Sequence, residues 1–203
     1  MAPPSARPVA KRGFRATCEW PAYLSRVRFP FIMSKTSTTS TLAENLIEMT
    51  RNGQIDQLEE QWLGDLSALP TTTQFFKVWC AAMRKAKASN KAEELITLKL
   101  DELLDAGKWK ASMRVLLSTI PYFPTSKQLR PMLLRALRGF YADVQDIDTF
   151  INLSGLTNGA TLTEGFTKCR EWIRLTPGQV YQHYDWGEGI IQELDIEAGR
   201  VLI

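Results

Sequence analysis

The spacing of apolar side chains changes once along this chain. Within residues 41–174 the apolar positions recur every three or four residues, as at Ile96, Leu100 and Leu103. This period is typical of amphipathic helices that bury one face. From Thr176 onward, apolar and polar residues alternate and glycines interrupt the alternation. That second pattern predicts short β-strands joined by turns.

Four short sequences resemble capping boxes, which mark helix starts. In each, threonine or asparagine stands three residues before glutamate or glutamine, so that side-chain oxygens can accept the unpaired N–H groups of the first turn. The boxes begin at Thr41, Asn90, Thr125 and Thr161. Together with the apolar stripes they predict eight helices, at residues 41–51, 54–66, 72–88, 91–106, 108–119, 126–141, 144–153 and 162–174.

Two glycine turns connect predicted helices. Gly53 and Gly107 each stand where one helix ends and the next begins, a position that favours a residue with positive φ. The similar sequences around them indicate helical hairpins, but the interval between the two glycines fits no regular tetratricopeptide period. We therefore predict a mainly α fold, in which residues 33–174 form an irregular, tetratricopeptide-like stack of helical hairpins.

The C-terminal residues 176–203 predict the opening strands of a small β-barrel. Turn signals at Pro177-Gly178 and around Gly187 separate segments with two-residue alternation. The last residues, Val201–Ile203, fit the middle of an apolar strand rather than a turn. The expectation is an incomplete barrel that follows the helical domain.

The N-terminal segment, residues 1–32, predicts a disordered, basic extension. It contains five of the ten prolines and six arginines or lysines, without a repeating apolar period. One interpretation is that the protein begins at Met33 and that the preceding stretch is a mis-assigned start. A functional tail and a targeting peptide are the alternatives, although the prolines oppose the amphipathic helix of a transit peptide.

Basic residues are concentrated in one block of the sequence. Residues 106–142 contain seven lysines and arginines and no acidic residue, whereas the flanking segments are acidic. Such a block can form a surface for a charged partner, or it can be an ordinary solvated face. The candidate electrostatic patch, with at most weak or indirect binding to nucleic acid, consists of Lys127, Arg130, Arg135 and Arg138.

The sequence favours a non-enzymatic protein without cofactor or metal. His183 is the only histidine, and the three cysteines are far apart, which argues against a zinc site or a disulfide framework. Walker, dinucleotide-binding and metalloprotease motifs are absent from the sequence, and no apolar run is long enough to cross a bilayer. We expect no catalytic residue, no small-molecule substrate, buried free thiols and a cytoplasmic location.

The β segment contains a motif in which valine, histidine, Trp-Gly-x-Gly and isoleucine follow Pro177-Gly178. This motif resembles the entry hairpin of SH3/Tudor-like barrels that bind bacterial RNA polymerase. A closer resemblance is to the N-terminal extension of long bacterial Gre-type transcription elongation factors, where a helical-repeat region leads into such a hairpin. The resemblance implies an RNA polymerase partner. The implied partner-binding residues are Val180, Tyr181, His183, Tyr184, Trp186, Gly187, Gly189 and Ile191.

The chain departs from Gre-type factors in two respects that bear on function. Those factors cleave RNA with acidic residues at the tip of a two-helix coiled coil, which is followed by a C-terminal domain that grips polymerase. This sequence contains neither part, so no catalytic residue is transferred. The resemblance implies a non-catalytic module of a transcription elongation factor. The alternative is a general helical-repeat scaffold for protein–protein interaction, with the β segment as a cap.

Overall fold

The computed structural model describes residues 37–183, 187–196 and 200–203. They lie within one compact unit, Thr36–Ile203. The predicted fold class is confirmed at the level of a mainly helical chain with a few short antiparallel strands at its C-terminal end. The prediction of disorder for residues 1–32 lies outside the described residues.

Eight helices and four strands are present in the described part of the chain. The helices are α1 (Ser37–Arg51), α2 (Ile55–Gly64), α3 (Thr73–Lys85), α4 (Ser89–Asp105), α5 (Trp109–Thr119), α6 (Leu129–Phe140), α7 (Ile147–Leu153) and α8 (Leu162–Arg174). A 3₁₀ turn at Leu66–Ala68 follows α2. The strands are β1 (Val180–His183), β2 (Gly187–Ile190), β3 (Glu193–Asp195) and β4 (Arg200–Leu202).

Threonine side chains cap two of the helices. At the start of α8, the Thr161 Oγ1 atom accepts the Glu164 N–H at 3.3 Å, which confirms the capping box predicted there. At the start of α3, the Thr72 hydroxyl accepts the Phe75 N–H at 3.4 Å, a cap that the sequence pattern did not indicate. Both helices therefore begin where a side chain satisfies a free N–H group.

The other three predicted capping boxes do not start a helix. Helix α1 begins upstream of Thr41, and Asn90 lies inside α4. Thr125 is too far from the first turn of α6, and Ser126 takes the capping role, since its Oγ accepts the Leu129 N–H at 2.9 Å. A cap requires an oxygen at the correct distance from the first turn, and the sequence pattern alone does not fix that distance.

The helices are arranged in two interleaved series. Helix α3 contacts both α1 and α5, and α4 contacts α6, so alternate helices pack side by side. Consecutive helices also contact each other, in the pairs α1–α2, α3–α4, α5–α6 and α7–α8. Contacts between consecutive helices, combined with contacts between alternate helices within α1–α6, are found in stacked helical hairpins.

The turns after α1, α3 and α4 share one hydrogen-bond pattern. Each contains a residue in the left-handed conformation: Gly53 (φ 73°), Lys87 (φ 57°) or Gly107 (φ 65°). The following residue donates its N–H to the carbonyl five positions earlier, which is the Schellman motif. These bonds join Gln54 to Met49 at 3.0 Å, Ala88 to Met83 at 2.9 Å, and Lys108 to Leu103 at 2.8 Å.

Turns within the helical hairpins recur at a regular interval. Gly53 separates α1 from α2, Lys87 separates α3 from α4, and Gly155 (φ 77°) separates α7 from α8. Along the sequence, the interval from Lys87 to Gly155 is twice the interval from Gly53 to Lys87. Pro121, after α5, lies midway between Lys87 and Gly155. The interval from Gly53 to Gly107 looked irregular because Gly107 lies between two hairpins rather than within one.

Four aromatic rings form the centre of the core near α2 and α3. Trp62 and Trp79 are both fully buried and stack with a ring-centroid distance of 4.5 Å. Phe75 and Phe76 pack around this pair. The Trp62 Nε1 atom donates to the Leu95 carbonyl at 3.1 Å, which joins α2 to α4 and leaves the indole N–H satisfied.

One lysine lies in the apolar core. The side chain of Lys99 on α4 is only 1% exposed, and its Nζ atom donates to the Leu66 carbonyl at 2.7 Å and to the Glu102 Oε2 atom at 2.6 Å. Glu102 also contacts the Lys108 Nζ atom at 3.4 Å. Burial raises the pKa of Glu102, but the hydrogen bonds and charges of Lys99 and Lys108 outweigh that effect and lower it overall.

The strands form two antiparallel pairs. Strand β1 pairs with β2, and β3 pairs with β4. Because β3 follows β2 after two residues, the two pairs are nearly continuous, and the Gln192 N–H donates to the Leu202 carbonyl at 2.8 Å between them. Leu194 and Ile196 pack against the helical core, so this part of the β segment is attached to the helices.

Candidate functional site

The β1–β2 hairpin contains most of the residues that the sequence motif singled out. Its register places Val180 opposite Ile190 and His183 opposite Gly187. Gly187 has a φ of 79°, in the left-handed region that residues with a β-carbon rarely adopt. Gly187 therefore has a conformational role in the turn into β2.

One face of this hairpin is exposed. Its four side chains are Val180, Gln182, Glu188 and Ile190, which we call the exposed hairpin face. Val180 is 66% exposed and Ile190 is 54% exposed, although they lie directly opposite each other on neighbouring strands. Cross-strand neighbours on one face have Cβ atoms about 4.5–5.5 Å apart, so these two side chains form one apolar pair in contact with solvent.

The opposite face of the hairpin is covered. Tyr181 and Gly189 are half-buried, and the Ile203 side chain lies against Gly189, where a β-carbon would clash with it. Ile191 is 1% exposed, and its N–H donates to the Gln179 carbonyl at 3.0 Å. Gly189 and Ile191 are thus occupied in packing within the β segment.

The proposed partner-binding residues therefore differ in their accessibility. Val180 is exposed, whereas Ile191 is buried and Gly189 is covered by Ile203. The backbone of His183 lies in β1, while Tyr184 and Trp186 lie outside the described residues. The sequence motif did not include Ile190, and the only signal that could have indicated it is its register opposite Val180.

Arg130, from the predicted electrostatic patch, makes contacts within the fold. Its Nη1 atom donates to the Leu156 carbonyl at 2.5 Å and its Nη2 atom donates to the Ala160 carbonyl at 2.8 Å. Both carbonyls belong to the loop between α7 and α8. The guanidinium group therefore holds this loop against the start of α6.

The other residues of the patch are exposed to different extents and do not form one continuous positively charged surface. The Arg135 Nη2 atom pairs with the Asp105 Oδ1 atom at 2.9 Å, and the Arg138 Nε atom pairs with the Asp148 Oδ1 atom at 2.7 Å. Lys127 is exposed. The acidic partners come from outside residues 106–142, which is why the sequence block appeared more basic than the folded surface is.

Two of the three cysteines are described, and both are buried free thiols. Burial raises the pKa of Cys80 from 9.0 to about 12 and the pKa of Cys169 from 9.0 to about 11. A protonated thiol is a poor nucleophile, so neither side chain is suited to covalent chemistry. The expectation of buried free thiols is confirmed for these two residues, and Cys18 lies outside the described part of the chain.

Comparisons with protein-family models, curated proteins and solved structures gave no match for this chain. Within residues 37–183, 187–196 and 200–203, no helix is both long and apolar enough to cross a membrane. The same residues contain no cluster of three or more side chains that could hold a metal ion.

Proposed function

We propose that this chain is a non-catalytic RNA polymerase-binding module of a transcription elongation factor, and that it binds through the exposed hairpin face. The observation that supports this most directly is the exposed apolar pair of Val180 and Ile190. Complete burial of one aliphatic side chain contributes about 1.5–3 kcal/mol. A partner that covers both side chains would gain part of that free energy at little conformational cost, because the strands are already paired.

The backbone of β1 offers a second means of recognition. Among the described residues, β1 pairs with β2 alone, so its other edge has main-chain groups directed away from the hairpin. An edge of this kind can pair with an extended strand of a partner protein. The partner strand would then pair with the edge of β1, and the apolar pair beside that edge would add to the affinity.

RNA polymerase is proposed as the partner on the basis of the sequence motif. The residues that match it include the turn glycine Gly187, the covered Gly189 and the buried Ile191, and each has a structural role here that the geometry of such a hairpin would require. We propose accordingly that the four strands belong to a small SH3/Tudor-like barrel. The near-continuity of β2 and β3, which pair with β1 and β4 respectively, supports this assignment.

We also propose that the helical part is a tetratricopeptide-like repeat. A tetratricopeptide unit is about 34 residues long, which agrees with the interval from Gly53 to Lys87 and with half the interval from Lys87 to Gly155. The contacts between alternate helices support the same assignment. In this interpretation the helices are a scaffold that presents the hairpin.

The test of polymerase binding compares two double variants of the full chain. In Val180→Thr/Ile190→Thr, the apolar pair is removed while residues with β-branched side chains are retained, so the strands are preserved. The control is Leu63→Gln/Leu98→Gln, which replaces two exposed leucines of α2 and α4 (50% and 41% exposed). Binding of each protein to immobilised bacterial core RNA polymerase is measured by interferometry.

We expect the threonine variant to bind about tenfold or more weakly than the wild type, and the leucine control to bind as the wild type does. Equal thermal unfolding midpoints would show that the difference arises at the interface. Absence of wild-type binding at micromolar concentrations would remove RNA polymerase as the partner. A loss of binding confined to the leucine control would indicate contact through the helices, and would favour the alternative function as a general helical-repeat scaffold.

A further inference from the structure

A second surface with binding character lies on the helical body, away from the strands. It is a groove of about 490 Å³ between the start of α5 and the end of α6. We call it the α5–α6 groove, and the side chains and backbone used below are Lys108, Trp109, Lys110, Arg114, Gly139 and Phe140. Its volume is within the range of protein sites that bind small or extended ligands.

The floor of the groove is aromatic because of a single glycine. A β-carbon at position 139 would lie 2.6 Å from the Trp109 Cε2 atom, so the indole ring lies directly on the backbone of α6. Phe140 is 41% exposed beside it and makes an edge-to-face contact with Tyr141 at a centroid distance of 4.9 Å. An exposed phenylalanine held by a neighbouring ring can receive an apolar side chain of a partner.

The rim of the groove is positively charged. Lys110 and Arg114 are both exposed and lie four residues apart on one side of α5. In the described part of the chain neither of them has a carboxylate within salt-bridge distance. Lys108 is 53% exposed, and the ion pair that it makes with Glu102 is long at 3.4 Å. No acidic side chain lines the groove among the described residues.

The positive charge of the groove does not continue along α6. Arg135 and Arg138 are paired with Asp105 and Asp148, which neutralises them. A nucleic acid strand would require a longer run of unpaired cations along its phosphates, and these two arginines do not supply it. A short segment whose carboxylates flank one or two apolar side chains fits both the charged rim and the aromatic floor.

We propose that the α5–α6 groove binds an acidic peptide segment of a partner protein, with carboxylates on Lys108, Lys110 and Arg114 and an apolar side chain on Phe140. This site is separate from the exposed hairpin face, and it stands on different residues. The two proposals can therefore succeed or fail independently of each other.

The experiment uses the full chain and a fluorescein-labelled synthetic peptide in which glutamates flank a leucine and a phenylalanine. Two other probes are compared by anisotropy: the same peptide with glutamine in place of glutamate, and a single-stranded oligouridylate. The test variant is Lys110→Glu/Arg114→Glu. The matched control is Lys77→Glu/Lys168→Glu, which makes the same change of charge at two exposed lysines outside the groove. A third variant, Phe140→Ala, removes the apolar contact.

We expect the wild type to bind the acidic peptide in preference to both other probes, with an affinity that falls as salt concentration rises. The test variant should bind at least about tenfold more weakly, and Phe140→Ala should also bind more weakly, while the control pair binds nearly as the wild type does. The proposal is overturned by an equal loss in the control pair, by tighter binding of the oligouridylate, or by no peptide binding at millimolar concentration.

Discussion

The indole ring of Trp109 lies on the backbone of Gly139, in the space that a β-carbon would occupy. This contact determines how closely α5 and α6 approach each other. In an exposed helix, replacement of glycine by alanine stabilises by about 1 kcal/mol. At position 139 the overpacking cost of about 1–3 kcal/mol outweighs that gain, so we expect Gly139→Ala to destabilise the protein.

Chemical denaturation of Gly139→Ala and Gly64→Ala checks this prediction. Gly64 ends α2 and has no atom within 4 Å of the position of an added β-carbon, so alanine there should be neutral or stabilising. Equal effects of the two substitutions would contradict the close contact between Trp109 and Gly139.

Loss of the buried lysine should destabilise the fold more than loss of its exposed neighbour. Lys99→Met leaves the Leu66 carbonyl without its hydrogen bond, and we expect a cost of about 1–3 kcal/mol. Lys108→Met removes a long, exposed ion pair and should cost less than about 1 kcal/mol. Urea unfolding of both variants measures the difference, and a larger effect at Lys108 would refute it.

The lowered pKa of Glu102 predicts a contribution to acid sensitivity. Because folding lowers this pKa, ionised Glu102 adds stability above its ordinary pKa of 4.5. That stability disappears as the pH falls through the lower folded value. Between pH 5 and pH 2, we expect the free energy of unfolding to decrease less in Glu102→Gln than in the wild type. The difference should be as small as the energy of a salt-screened ion pair. An equal decrease in the free energy of unfolding of the variant and of the wild type would contradict this assignment.

Arg130 should behave as a structural residue rather than as part of a charged surface. Arg130→Ala removes two hydrogen bonds to the α7–α8 loop and should cost about 1–3 kcal/mol. Arg130→Lys should recover only part of this loss, since an ammonium group lacks the planar fork of guanidinium. Arg138→Ala, which breaks an exposed pair, is the control and should cost less than about 1 kcal/mol. Full recovery with lysine would indicate that charge alone matters.

The two buried thiols should be protected from modification in the folded protein. In a Cys18→Ser variant, we expect a thiol-reactive disulfide to label the folded chain slowly, and to label both Cys80 and Cys169 once guanidinium unfolds it. Folding raises both pKa values from 9.0, so the stability that they contribute is present below about pH 9 and is lost as the pH rises towards about 11 for Cys169 and about 12 for Cys80. Rapid labelling of the folded variant at pH 8 would contradict their burial.

The sequence was informative where one local interaction decides the structure. Apolar periodicity predicted the helices, and the box at Thr161 predicted the cap of α8, because both depend on residues within a few positions of each other. Gly107 was also predicted as a turn, since glycine is the usual residue with positive φ. The turn at Lys87 has the same geometry, but a lysine does not indicate a positive φ. The sequence pattern therefore did not reveal the regular interval between the hairpin turns.

The candidate sites depend on contacts between distant residues, which the sequence pattern does not encode. Arg135 and Arg138 were grouped as a charge patch, but their partners Asp105 and Asp148 become neighbours only after folding. Lys99 interrupts an apolar stripe and would be expected at the surface, yet the Leu66 carbonyl and Glu102 satisfy it in the core. Pairing of this kind is set by tertiary structure.

In the tetratricopeptide-like stack that we propose, the hairpin turns recur at one interval, so the length of the helical body can change only in whole repeats. A further unit of the same length would add one layer at helix-packing distance, roughly 10 Å, and would leave the contacts within the other layers unchanged. An insertion of another length inside a helix would rotate its apolar side away from its neighbours. On this proposal, the separation between α1 and the exposed hairpin face is set in whole hairpins, so that evolution or design can change it stepwise but not gradually.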